Sequence, residues 1–64
     1  MKETELWQRL RQHLGAGYYQ VWAAEHSLAE LGNRTVAEAL RDGEPAKAIW
    51  RAVWRALQLP DRDR

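Results

Sequence analysis

Sixty-four residues make one domain near the lower limit for independent folding, because a chain this short hides only about 60% of the surface its unfolded form exposes. There is no Cys, which excludes a disulfide framework and any Cys-based zinc site. The net charge of +1 is too small to argue by itself for a polyanionic partner.

The four Trp and two Tyr offset the short length, since each can bury on the order of 150–250 Å². The opening MKETELWQRL carries charges within its first five residues and lacks the apolar run of a secretory signal. No stretch approaches the roughly 20 apolar residues of a membrane span. These features lead to the expectation of a cytoplasmic protein without membrane contact.

The first helix is predicted from about Glu5 to Leu14. Thr4 is its expected N-cap, and Glu3 and Glu5 suit the positive end of the helix dipole. Leu6, Trp7, Leu10 and Leu14 recur at helical spacing and form one stripe. Gly15 is expected to end the helix in a left-handed conformation, with Gly17 in the link that follows.

The second helix is predicted from about Tyr18 to Leu31. Tyr18, Trp22, His26 and Ala29 would share one side, and Val21, Ala24, Leu28 and Leu31 another. A helix apolar on two sides is packed on two sides, so this element is expected at the centre of the fold, ending at Gly32-Asn33.

A short third helix is predicted over Val36 to Arg41. Thr35 and Glu38 form a T-x-x-E capping box, and Gly43 closes the helix. Pro45 opens a fourth helix that runs to Leu57 or Gln58. Ala46, Ile49, Val53 and Leu57 form its apolar arc, with Trp50 and Trp54 toward one edge. Lys47, Arg51 and Arg55, spaced by four, form a basic row beside Trp54. Pro60 stops the helix, and the DRDR tail, 61–64, is expected to be disordered. The sequence shows no strand signal. The predicted fold is all-α: a single helical domain over 1–60, a small bundle of three longer helices and one short one. Its expected core comprises Trp7, Leu10, Trp22, Leu28, Leu40, Ile49, Trp50 and Val53.

Charge is unevenly distributed. Residues 25–44 hold Glu25, Glu30, Glu38, Asp42 and Glu44 against Arg34 and Arg41, while residues 45–60 hold Lys47, Arg51 and Arg55 with no acid. The pattern predicts an acidic side and a basic side.

The run WAAEHSLAELGNRTVAEALRDG, followed by AKAIWRAV and LQLP, resembles a small actinobacterial family, domain of unknown function 3046. The opening TELWQRLRQHLGAGY fits it too, so the resemblance spans about Met1 to Pro60. It rests on Trp22, His26, Gly32-Asn33-Arg34-Thr35-Val36 and Ile49-Trp50-Arg51 in order. The resemblance implies no transferable activity. It implies genes often placed near recombinase A and the regulator of that recombinase, a link to DNA repair by association and not by chemistry. It also implies a smaller residue at position 54, so Trp54 is read from its own surroundings.

Three constellations bear on function. Lys47, Arg51, Trp54 and Arg55 form a candidate partner-binding face, because Trp and Arg are enriched among interface hot spots and attract each other through the ring quadrupole. The bland alternative is that Trp54 caps the core edge with solvated arginines around it. Thr35 to Leu57 holds a helix-turn-helix-like unit: Ala39, Gly43 and Ile49 match such a motif's small, Gly and apolar positions. Asp42 and Glu44 stand where that motif is apolar, and base-reading Asn or Gln residues are missing at the second helix start. His13 and His26 have no metal-ligand spacing, and Glu25 and His26 diverge by about 100° on a helix. His26 is expected as a boundary residue packed by Trp22, its nitrogens bonded to backbone or Glu30. The sequence thus predicts a non-enzymatic interaction or regulatory module, without cofactor or metal, acting on a protein partner or by self-association. Weak nucleic-acid binding through the 35–57 unit is the alternative.

Overall fold

The computed structural model describes all residues from Met1 to Arg64. In order, it contains α1 (Glu3–Leu14), α2 (Tyr19–Glu25), β1 (Ser27–Leu28), a 3-10 turn (Ala29–Leu31), β2 (Arg34–Thr35), α3 (Val36–Arg41), α4 (Ala46–Ala56) and a second 3-10 turn (Asp61–Asp63). The fold is mostly helical but not purely so.

Helix α1 starts two residues earlier than predicted, with Lys2 in the cap position and no side-chain cap bond, so Thr4 lies inside the first turn. Glu3 is thereby free to accept a hydrogen bond from the Trp7 indole at 3.2 Å, one turn on. Leu6 and Leu10 are fully buried, and Trp7 is half-buried, edge-on to Tyr19 with centroids 6.1 Å apart.

The largest departure from expectation is the second helix. It ends at Glu25, where His26 turns to φ −90°, ψ 111°. The continuation pairs as a minimal antiparallel ladder, Ser27 with Thr35 and Leu28 with Arg34. The fold therefore has two long and two short helices, not three long and one short. The reason is burial of apolar side chains. Breaking at His26 folds Leu28 and Leu31 back under α4, where both are buried.

Nor is α2 central. It packs on α1, α3 and β2 through Trp22 and Ala23, while Tyr18 and Val21 stay 53% and 48% exposed. The central element is α4, which touches α1, α3, β1 and the first 3-10 turn. Ile49, Trp50, Ala52 and Val53 are its buried face, and Trp50, only 1% exposed, is the largest fully enclosed side chain. Of the expected core, Leu10, Trp22, Leu28, Ile49, Trp50 and Val53 are buried, whereas Trp7 and Leu40 lie half-buried at its edge.

The predicted capping box forms. The Glu38 amide donates to Thr35 Oγ1 at 3.1 Å, and the Thr35 amide donates to Glu38 Oε1 at 2.8 Å. The α3 exit is a Schellman turn: Gly43 N–H reaches Leu40 O at 3.1 Å and Glu44 N–H reaches Ala39 O at 3.0 Å, with Gly43 at φ +88°. The α4 exit repeats it. Gln58 N–H bonds Arg55 O at 3.2 Å and Leu59 N–H bonds Trp54 O at 3.1 Å. Here, however, Gln58 occupies the left-handed position at φ +54°.

The 61–64 tail, expected to be disordered, forms the second 3-10 turn and packs against the body. The Trp54 indole donates to Pro60 O and the Trp50 indole to Asp63 O, each at 2.8 Å. Buried or half-buried indoles seek an acceptor, and the helix carbonyls around them are already used.

Two stability outcomes follow. Gln58→Gly relieves a left-handed non-Gly residue and should raise stability by roughly 0.5–1 kcal/mol, a melting shift of several degrees for a domain this small. Trp50→Ala should cost roughly 3–5 kcal/mol and leave a chain with no cooperative thermal transition by circular dichroism.

Candidate functional site

Two opposite electrostatic arrangements flank α4. On one side, Arg34 gathers the acids of the turns. Its Nε donates to Leu31 O at 2.7 Å, one terminal nitrogen donates to Asp42 Oδ2 at 3.1 Å, and the other pairs with Glu44. The guanidinium pKa lies above its ordinary value, first through the hydrogen bond to Glu44 and then through that to Asp42, with burial opposing. Arg34 thus fastens the 31–34 turn to the α3–α4 turn. Glu38 is engaged by the Thr35 cap and Glu30 faces Arg55 at 3.4 Å. The expected acidic side is therefore largely neutralised by the fold itself, and Glu25 is the acid of that stretch left without an ion-pair or hydrogen-bond partner.

On the other side, Lys47, Arg51 and Arg55 are exposed along α4 as the spacing predicts. Lys47 and Arg51 have no acidic partner; Arg55 has only the exposed bridge to Glu30. Trp54 is half-buried, so it is both an edge of the core and a wall of the surface. Arg51, Trp54 and Arg55 line a shallow cleft of ≈ 240 Å³, and Arg64 completes it. The Arg64 guanidinium carbon sits 4.9 Å from the Trp54 ring centroid, a cation–π distance. Lys47 stands further along and lines a separate depression with Pro45, Ala48 and Arg51. The structure thus unites Arg51, Trp54 and Arg55, and joins Lys47 to them only through Arg51.

Nothing in the polar DRDR stretch itself marks Arg64 as a site residue. One signal pointed to it: Trp50 and Trp54, one turn apart, present two indole donors that the helix itself cannot satisfy.

The α3–turn–α4 unit exists, but its turn is acidic at Asp42 and Glu44, both held on Arg34. The outer start of α4 offers Lys47 and Ala48, with no amide side chain to read a base edge. His26 stacks on Trp22 with centroids 4.9 Å apart and an 11° interplanar angle, though its ring makes no hydrogen bond to backbone or Glu30. His13 leans on Trp50 at 5.7 Å. The two imidazoles thus pack on different indoles, and no group of three His, Asp or Glu side chains is placed to hold a metal. No helix is long and apolar enough to cross a membrane.

Residues 1–62 match a family described as protein of unknown function, DUF3046. The chain belongs to this family. No curated protein and no solved structure matches it significantly. Within this family member, the basic ridge of α4 is separable from the fold. Arg51→Ala and Arg55→Ala should each change stability by less than about 1 kcal/mol in denaturant melts. Arg34→Met should melt well below either, because it frees Leu31 O, Asp42 and Glu44 together.

Proposed function

We propose that this DUF3046 chain is a small non-enzymatic interaction module that binds a protein partner through the ridge of Lys47, Arg51, Trp54 and Arg55. The observation that carries the reading is Arg51. It is an exposed cation without an acidic partner, set in one cleft with Trp54 and Arg55 on the most firmly held helix of the fold. A rigid helix presenting an aromatic wall and free guanidinium groups suits an acidic protein surface. Arginine can bind carboxylates through paired hydrogen bonds, and the indole supplies contact area at little entropic cost. The ridge spans about 12 Å along the helix, the size of a hot-spot cluster and not of a whole interface.

The nucleic-acid alternative draws on the same cations. The acidic turn at Asp42 and Glu44 weighs against it, since a helix-turn-helix brings its turn close to the phosphate backbone. In the protein reading, Arg51→Glu combined with Arg55→Glu loses partner capture by at least tenfold while the melting temperature stays within a few degrees. Equal capture by this folded variant would refute the reading. Titration of labelled duplex DNA at two salt concentrations tests the alternative: three basic residues limit the log–log salt slope to about −3. Absence of binding at low salt removes it.

A further inference from the structure

The 60–64 segment is held by the rest of the molecule as a ligand would be. Its firmest contacts are to main-chain carbonyls: Trp54 Nε1 to Pro60 O and Trp50 Nε1 to Asp63 O, both 2.8 Å, and Arg9 Nη1 to Arg64 O at 3.2 Å. The two indole-bound carbonyls are three residues apart, one turn of 3-10 helix. The side-chain contacts are looser. The Asp63 carboxylate lies 4.0 Å from His13 Nε2, and Arg64 lies over Trp54. Pro60, Asp61, Arg62 and Arg64 remain exposed, so the segment adds no apolar side chain to the core. An extension of the hydrophobic core would be held by such side chains; this one is held by donors that the groove presents.

Contacts outside the segment brace two of those donors. Trp50 is enclosed by the core, and Arg9, which also pairs with Glu5 at 3.0 Å, lies 5.5 Å from the Trp50 ring centroid. A depression of ≈ 190 Å³ stays open beside the segment, lined by Arg9, Gln12, His13, Trp50, Arg62 and Asp63. The connection to α4 is Leu57-Gln58-Leu59, with Gln58 in the left-handed region. A turn with a left-handed non-Gly residue therefore joins the helix to a strap that contributes no buried apolar side chain.

We propose that the groove between α1 and α4, lined by Arg9, His13, Trp50 and Trp54, is a peptide-recognition site whose resident occupant is the chain's own Pro60–Arg64. The occupant that fits in trans is a short turn of another protein with the same chemistry. It presents two carbonyls one 3-10 turn apart, the first of which also closes the turn by accepting from the amide three residues on, and an Asp or Glu at the second position, facing His13. A Pro at the first position favours such a turn by preventing a preceding helix from continuing through it. The carbonyl contacts tolerate many sequences, while the carboxylate confers selectivity. This site lies on the α1 side of α4 and shares Trp54, but none of Lys47, Arg51 and Arg55, with the proposed ridge.

Competition governs its use. A tethered occupant acts at an effective concentration of about millimolar, so a free peptide binds weakly until the strap is loosened. The test uses the full chain, labelled with nitrogen-15, and follows the four indole N–H resonances. The probe is an acetylated and amidated peptide spanning residues 58–64, with a scrambled peptide of the same composition as control. The strap is weakened by Asp63→Lys with Arg64→Ala, which leaves every groove residue intact; Asp63→Lys alone is the milder second variant. Added peptide should shift the Trp50 and Trp54 resonances but not those of Trp7 and Trp22. The apparent affinity should be on the order of tenfold higher in the weakened chain than in the wild type. In the wild-type chain, where the probe replaces an identical occupant, binding is read instead by the anisotropy of a fluorescent peptide up to millimolar protein, which decides the matter should both variants unfold. No shift in any folded chain, or equal shifts from the scrambled peptide, would overturn the proposal. Concentration-dependent dimerisation without a peptide response would also overturn it, assigning the groove to strap exchange between copies.

Discussion

Enclosure of the α4 indole at Trp50 is the constraint on which the rest of the structure depends. A 64-residue chain has few side chains with which to surround a helix, and α4 must be covered on most of its circumference to hide Ile49, Trp50, Ala52 and Val53. Leu6 and Leu10 of α1 cover one flank, Val36 and Ala39 of α3 another, and Leu28 and Leu31 a third. The third flank explains the broken second helix. Ending the helix at Glu25 exchanges a few helical hydrogen bonds for the burial of Leu28 and Leu31 against α4. Burial of large apolar side chains outweighs the few backbone bonds that the short β1–β2 ladder replaces in any case.

The turns that make this wrapping possible are specified by local chemistry. Gly32 and Asn33 take left-handed conformations at φ +68° and +64°, and Gly43 does so at φ +88°. Arg34 then ties two of these turns together through Leu31 O, Asp42 and Glu44. Its three acceptors lie on two separate turns, so it fixes their relative placement and not only their individual shapes. The same contacts remove much of the negative charge that the sequence placed before α4. What stays outside is the cationic ridge, whose prominence is thus partly a result of how the acids are used internally.

Trp54 joins the two surfaces of α4. One edge of its ring faces the cleft with Arg51 and Arg55, and its N–H faces the strap. Strap and ridge are therefore neighbours with different chemistries. The ridge offers guanidinium groups to carboxylates, and the groove offers indole donors to carbonyls. One helix can present two chemistries in this way, because successive side chains on a helix are only about 100° apart.

Much of the fold was legible in the residues. Periodicity located α1, α3 and α4, the T-x-x-E spacing gave the capping box at Thr35 and Glu38, and Gly43 marked the α3 exit. The exposed row of Lys47, Arg51 and Arg55 also followed from spacing alone. These features are decided within a turn or two of chain, where side chain and backbone meet directly. The end of α2 at Glu25, the central place of α4, the Arg34 clasp and the docking of Pro60–Arg64 were not so decided. Leu28 and Leu31 satisfy a helical pattern as well as they satisfy the observed fold, and DRDR is as polar as any free tail. Only when distant segments compete for the same buried volume, and two indoles require acceptors, does one arrangement become lower in free energy than the others.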